Sequence, residues 1–341
     1  MEKKIIAIVA GGDSSEHDVS LRSAQGILGE MDLERFEPYI IELSAQAWTA
    51  ILPDGTKSPV NRQHFTFTDA SGKEIKPEMA YIIIHGTPGE DGTLQGYFDL
   101  IGMPYSTGPL LTEALTFNKF ALNNFLKAFG VNTAENMLVR RGHEQLVTDD
   151  EVVNHIGLPC FIKPNAGGSS FGVTKVKTRD QIRPALEKAL NESDEAIIES
   201  LLQGTEITCG CFKTERGDTV LPITEVVTQN EFFDYNAKYN GQVSEITPAR
   251  IDEEVAERVR LITSAIYDIL NCRGIIRVDY ILSPYTDENG EQKTRINMLE
   301  VNTTPGMTPT SFIPQQIRAA GLTVKDVLTE IIEDQLARAG R

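Results

Sequence analysis

Two apolar runs in the last quarter of the chain carry charged or amide side chains at every second position: Gly274-Ile275-Ile276-Arg277-Val278-Asp279-Tyr280-Ile281 and Leu299-Glu300-Val301-Asn302. Side chains alternate across a β-strand, so the first run places Arg277 and Asp279 on one face and Ile276, Val278 and Tyr280 on the other. The second places Glu300 and Asn302 on one face and Leu299 and Val301 on the other. If the two strands pair, three hard oxygen donors and one guanidinium share a sheet face. That set suits Mg²⁺ and phosphate, because Mg²⁺ is usually held by one or two carboxylates plus substrate phosphates. The alternative is a solvated outer face, where strand carboxylates are common. The continuation Thr303-Thr304-Pro305-Gly306-Met307-Thr308 favours a site: it is a polar, glycine-containing loop at a strand exit, where α/β proteins place ligands.

The 341 residues exceed a single core and predict two or three domains at about 150 residues each. A net charge of -17 argues against nucleic acid, whose backbone needs a basic face, and means that any phosphate site must be built locally from a few cations and metal. The N-terminal apolar stretch is too short for a signal peptide and no segment approaches a membrane span, so the expected location is the cytoplasm. Cys160, Cys209, Cys211 and Cys272 lack a metal-type spacing and read as structural thiols.

Strands and helices alternate through the first hundred residues. Ile5 to Ala10 is a buried strand, Gly11-Gly12 a tight turn, and Val19 to Met31 a helix with Ser14, Ser15 and Asp18 as cap candidates. Arg35 to Leu43 and Ala80 to Ile84 are further strands, and together they predict an α/β, doubly wound parallel sheet. The loop from His85 to Gly96 follows, dense in glycine and polar residues. Thr116 to Phe129 has helical spacing, with Asn118-Lys119 on its polar side. Pro159 to Pro164 and Val173 to Lys177 are strands flanking Asn165-Ala166-Gly167-Gly168-Ser169-Ser170-Phe171-Gly172, a hairpin flap whose backbone amides can cradle phosphate, with Lys163 just before it. An apolar strand from Ile197 to Leu202 carries Glu199, with Glu206 close behind. Gln229 to Pro248 has no sustained period and reads as a lid containing Lys238 and Tyr239. Asp252 to Leu270 is an amphipathic helix.

Taken in order, His85-Gly86 with Gly89-Glu90-Asp91-Gly92, Asn118-Lys119, Lys163-Pro164, Gly168-Ser169-Ser170, Ala237-Lys238-Tyr239, Arg277 with Asp279, and Glu300 to Thr308 resemble the D-alanine–D-alanine ligases of the ATP-grasp superfamily over nearly the whole chain. The resemblance implies an N-terminal α/β domain (1–108), a central ATP-grasp subdomain with the flap (109–198) and an α+β C-terminal part with lid and metal site (199–341). It implies ATP and two Mg²⁺ (or Mn²⁺) ions, two molecules of D-alanine as substrates, a D-alanyl phosphate intermediate, a role in peptidoglycan synthesis and a homodimer. Residue by residue, it makes Asp279, Glu300 and Asn302 the metal ligands. Lys119, Lys163 and Ser170 fall on the phosphate side, Lys238 near the γ-phosphate, and Glu199 and Glu206 on the adenosine side. Glu16 would hold the first D-alanine's ammonium beside His85. Arg277 and the Gly306 amide would stabilise the oxyanion, Ser311 would bind the second carboxylate with Phe312 shaping that subsite, and Glu16, Ser169 and Tyr239 would form a closing trio.

Tyr239 favours D-alanine as acceptor, since relatives that use D-lactate or D-serine generally depart from tyrosine there. Phe312 stands where better-known members have leucine and leaves D-serine open. A D-alanine–D-lactate ligase and a non-catalytic nucleotide-binding relative are the other readings. The segments 140–156 and 286–294 are expected at the surface.

Overall fold

The N-terminal apolar run becomes the central strand of a sheet covered on both faces. In the computed structural model, which describes residues 2–167, 172–228 and 243–340, β1 (Lys4–Gly11), α1 (His17–Glu30), β2 (Phe36–Leu43), β3 (Trp48–Ile51) and β4 (Lys57–Pro59) come first. The small hairpin β5 (Phe67–Thr68) and β6 (Glu74–Ile75) then leads to β7 (Met79–Ile82) and α2 (Thr93–Ile101). Strand order is β4-β3-β2-β1-β7, with β1 parallel to β2 and β7. Ile6, Ile8 and Ala10 pack with Ala24 and Ile27 of α1, whereas Ala7 and Val9 pack with Leu94 and Phe98 of α2. This double cover is why β1 reads as continuously apolar and not alternating. The expected doubly wound parallel sheet is present, with antiparallel β3 and β4 added at one edge.

Two helix boundaries differ from the sequence reading. None of Ser14, Ser15 and Asp18 caps α1, whose N-cap residue is Glu16, without a side-chain cap bond. Ser14 instead donates to the His85 carbonyl at 2.7 Å, tying the first loop to the second, and Asp18 lies in the first turn, where its charge meets the positive helix end. The expected helix from Thr116 to Phe129 is two helices, α3 (Leu110–Phe117) and α4 (Lys119–Lys127). Asn118 divides them because its side chain accepts the Ala121 amide at 2.9 Å, a strong N-cap contact.

The central sheet is antiparallel in the order β10-β9-β11-β8, from β8 (Asn136–Arg140), β9 (Cys160–Pro164), β10 (Thr174–Val176) and β11 (Glu195–Ser200), with α5 (Ile182–Glu192) against it. β9 and β10 pair on either side of the glycine-rich segment, as expected of a hairpin. The third sheet has the order β15-β14-β12-β16-β17, with β13 on β12. It comprises β12 (Thr205–Thr214), β13 (Gly217–Val220), β14 (Thr224–Thr228), β15 (Val243–Ile246), β16 (Ile275–Thr286) and β17 (Gln292–Asn302), with α6 (Glu253–Ile269) packed on it. β15 lies inside the stretch read as wholly irregular, because a four-residue strand is too short to register a period. Helices α7 (Phe312–Ala319) and α8 (Val324–Ala339) return to the N-terminal sheet, so Ile313, Val327 and Ile331 share one core with Ile6 and Ile8.

All four cysteines are free and buried, and burial pushes the Cys160 thiol up to about 11 and those of Cys209 and Cys211 to about 12, as structural thiols require. Residues 286–294 form an exposed hairpin tip; 140–156 is mostly exposed and pinned by buried Val152. Among the described residues no helix is long and apolar enough to cross a membrane.

Gly274 opens β16 with φ +65°, and a Cβ there would stand 1.9 Å from the Ser106 carbonyl oxygen. Gly274→Ala is expected to cost about 3 kcal/mol or more by chemical denaturation, since strain and a backbone clash add. Gly290→Ala, at φ +83° with nothing within 4 Å, should cost only about 1 kcal/mol.

Candidate active site

β16 and β17 pair antiparallel with Arg277 opposite Asn302 and Asp279 opposite Glu300, so the four polar side chains do share one face. β12 widens that face from the other side, with Thr208 opposite Asp279 and Glu206 one alternate position along. The β16–β17 register slips between Asp279 and Tyr280, so that Tyr280 opposes Met298. Leu299 is the extra residue of this β-bulge. It therefore does not join Val301 in the core, as simple alternation predicts, but is half-buried and lines the cleft over the sheet.

That cleft measures about 930 Å³ and brings together Glu16, His85, Lys119, Lys163, Glu199, Glu206, Arg277, Asp279, Glu300, Asn302, Gly306, Ser311 and Phe312. Ser169, Ser170, Lys238 and Tyr239 lie outside the described residues. Glu16 and His85 arrive from the loops after β1 and β7, the carboxyl ends of parallel strands.

Arg277 and Asp279 form the most constrained pair. Nε and NH2 of the guanidinium donate to Oδ1 and Oδ2, each at 2.8 Å, while Thr208 donates to Oδ1 at 2.6 Å and the Asn302 amide to Oδ2 at 3.1 Å. Burial opposes the charge on Arg277, but the adjacent Asp279 carboxylate outweighs it and holds the guanidinium charged. Its other side lies over the Phe312 ring at 5.2 Å. The hydrogen bond from Asn302 spends the donor end of its amide and leaves the carbonyl oxygen as the group available to a cation.

The cationic side chains are held by acids. Lys119, at the head of α4, donates to the Gly167 carbonyl at 2.7 Å and lies 3.5 Å from Glu300. It is placed there because Asn165 accepts the Phe120 amide at 2.8 Å, docking the start of the flap on α4. Lys163 contacts Glu199 at 2.6 Å, and Asn123 takes the other Glu199 oxygen at 2.9 Å. Both Glu199 oxygens are thus engaged, and Ser200, Leu201 and Leu202 beside it also line the cleft. Ser311 precedes α7 as its N-cap without a capping bond; its hydroxyl meets Thr308 Oγ1 at 2.7 Å, and a Cβ on Gly306 would stand 3.0 Å from it.

Two carboxyls are pushed up to about 7. Glu206 is raised by burial, with the Asp279 and Glu300 charges adding; Glu90 is raised by burial and then by Glu16 and Glu300, against the Gly86 amide that donates to it at 2.7 Å. The sequence reading missed Glu90 as a cleft residue, although the Gly89-Glu90-Asp91-Gly92 run contained it. It also missed Glu113, fully buried on α3 and bonded to Thr303, for which an isolated acid in a helical pattern offers no signal. Among the described residues no three His, Cys, Asp or Glu side chains close on a metal by themselves. Two carboxylates and an amide oxygen fit a hard cation that phosphate oxygens complete.

An antiparallel sheet whose β9 and β10 flank the glycine-rich segment, an acid-bearing sheet face and two lysines over it define an ATP-grasp fold, and with it an ATP-dependent carboxylate–amine ligase. Family models described as the D-ala D-ala ligase N-terminus and C-terminus match residues 5–108 and 125–333. The chain belongs to the D-alanine–D-alanine ligase family. A D-alanine–D-alanine ligase of Phocaeicola vulgatus is 61% identical over 333 residues, covering 98% of this chain and 99% of that one. Among solved structures, the VanG D-Ala:D-Ser ligase from Enterococcus faecalis superposes with TM-score 0.83 at 30% identity, covering 97% of this chain and 99% of that one. The Bacillus anthracis D-alanine–D-alanine ligase complexed with ATP gives 0.75 at 26% identity, covering 99% and 98%.

The raised Glu90 carboxyl makes stability pH-dependent. The folded protein holds this proton more tightly than the unfolded chain, so its stabilisation is complete below the ordinary value of 4.5 and is lost as pH rises through about 7. Glu90→Gln should flatten the decline in melting temperature between pH 5 and pH 8, removing up to about 3 kcal/mol of it; an unchanged slope would show that this group does not titrate as described.

Proposed function

We infer that the chain condenses two molecules of D-alanine at the expense of ATP, giving D-alanyl-D-alanine, ADP and phosphate for peptidoglycan. The observation that carries this is the shared face of β12, β16 and β17, where a half-buried guanidinium, three oxygen donors and a neighbouring lysine lie beside a serine-headed helix. A free carboxylate is a poor acyl donor. Transfer of the γ-phosphoryl group to one carboxylate oxygen of the first D-alanine turns that oxygen into part of a leaving group. The amine of the second D-alanine then attacks the carbonyl carbon, loses a proton, and phosphate departs.

In our assignment Glu16 and His85 hold the first amino acid, and Lys119, Lys163 and Ser170 orient the nucleotide phosphates. Glu206 and the backbone beside Glu199 receive the nucleoside. Lys238 and Tyr239 act from the lid, with Tyr239 joined to Glu16 and Ser169 on closure. Arg277 is suited to the oxyanion of the tetrahedral intermediate, because Asp279 and Phe312 fix its plane, and the Gly306 amide faces the same developing charge. Ser311, at the positive end of α7, suits the second carboxylate. Asp279, Glu300 and Asn302 would hold two Mg²⁺ ions, which neutralise phosphate charge during transfer. The division into 1–108, 109–198 and 199–341 belongs to the same proposal, as do a cytoplasmic location and a homodimer.

The purified protein should release ADP and phosphate only with D-alanine and Mg²⁺ together; nucleotide binding without D-alanine-dependent turnover would overturn the assignment. Glu300→Gln should lower kcat by at least about a hundredfold while the melting temperature moves little, since Glu300 is partly exposed. In mixtures of D-alanine, D-serine and D-lactate, product mass should show D-alanyl-D-alanine as the main species, and a mixed dipeptide or depsipeptide in excess would reassign the acceptor.

A further inference from the structure

The least explained polar group near the cleft is the Glu113 carboxyl. α3 carries it fully inside; Oε2 accepts the Thr303 hydroxyl, while Oε1 faces the Gly108 amide without closing a well-formed hydrogen bond to any of the described residues. Burial lifts its pKa well above the usual carboxylate range, and the neighbouring Glu90 adds to this. An unsatisfied buried polar atom costs on the order of 1–3 kcal/mol, and native chains keep few of them. Thr303 directly follows Asn302, the last residue of β17, where the sheet ladder no longer fixes the backbone. The next residue, Thr304, donates to the Ile84 carbonyl at 3.1 Å, and the helix after α3 brings Lys119 to 3.5 Å from Glu300. The exit of β17 is therefore gripped at Glu300, Thr303 and Thr304, and α3 with its continuation supplies two of the three grips.

We propose that Glu113 is a positioning residue: by holding Thr303 from beneath, it sets the directions in which Asn302 and the Gly306 amide face the cleft. The inference rests on the site assignment made above. Small displacements of supporting groups carry large costs in rate and in metal affinity, since the reacting geometry tolerates little drift. A purely structural Glu113 makes a different prediction, a change in stability with no change at the metal site.

The test compares Glu113→Gln, Glu113→Met, Thr303→Val and the Glu113→Met/Thr303→Val double variant. Mn²⁺ binding in the presence of ADP is read by electron paramagnetic resonance, alongside kcat, KM for D-alanine and melting temperature. Glu113→Gln keeps an acceptor for Thr303 and should stay near the parent protein. Glu113→Met should stay folded, yet bind Mn²⁺ roughly tenfold more weakly and lose kcat more than KM. Thr303→Val should reproduce that loss, and the double variant should be no worse than either single one. Folded Glu113→Met and Thr303→Val proteins with parental Mn²⁺ binding and kcat would overturn the inference, as would additive losses in the double variant. If Glu113→Met does not fold, Thr303→Val decides alone. A parent protein without Mn²⁺-supported, D-alanine-dependent turnover would sink the site assignment itself; an active parent with unaltered variants would sink only the role of Glu113.

Discussion

Everything in the cleft depends on the register in which β16 meets β17. With Asp279 opposite Glu300 and Arg277 opposite Asn302, one sheet face collects a guanidinium and its acids, and a one-residue slip of β17 would send Glu300 and Asn302 into the apolar layer beneath. The face is held by the bidentate Arg277–Asp279 pair. Neither partner tolerates burial alone, because a charge left unpaired in a desolvated site costs several kcal/mol. Thr208 and Asn302 complete the hydrogen bonding of Asp279, and Phe312 closes over the guanidinium. The same contacts that make the pair affordable also fix the guanidinium plane, which is what an oxyanion-stabilising group needs before the reaction begins.

Charge is managed locally in a chain whose net balance is -17. Glu90, Glu206, Asp279 and Glu300 stand near one another, and burial together with mutual repulsion pushes Glu90 and Glu206 up to about 7. An anionic nucleotide enters such a cleft only where cations are already placed. Lys163 is seated on Glu199 and Lys119 beside Glu300, so two flexible side chains are held in position by acids. Their placement comes from ordinary local structure: the Asn118 cap starts α4, Asn165 docks the flap on that cap, and the β9–β11 pairing brings Lys163 and Glu199 together.

Local pattern made much of this legible. The strand periods around Arg277 and Glu300 predicted the shared face, the continuous apolar run at Ile5 predicted a buried strand, and the strand-loop-strand pattern from Pro159 predicted the hairpin. The differences arise where a side chain's partner is distant in sequence or where one residue breaks a period. Asn118 reads as the polar side of one long helix until its cap bond is seen. Ser14 reads as a cap until it is found on the His85 carbonyl. Leu299 follows simple alternation on paper, and a single bulge moves it into the cleft.

The sequence by itself determined the periods, the polar and apolar sides of each strand and helix, and the ordered motifs that mark the family, because these depend on neighbours a few residues away. Only the tertiary structure decided which acids burial pushes up, which lysines are paired, and that Glu113 lies beneath Thr303, 190 positions along the chain. Those properties follow from desolvation and from contacts between distant segments, which no local pattern encodes. The clearest instance is Glu113 itself, an ordinary helical acid in sequence that burial turns into a carboxyl bonded to the residue following Asn302.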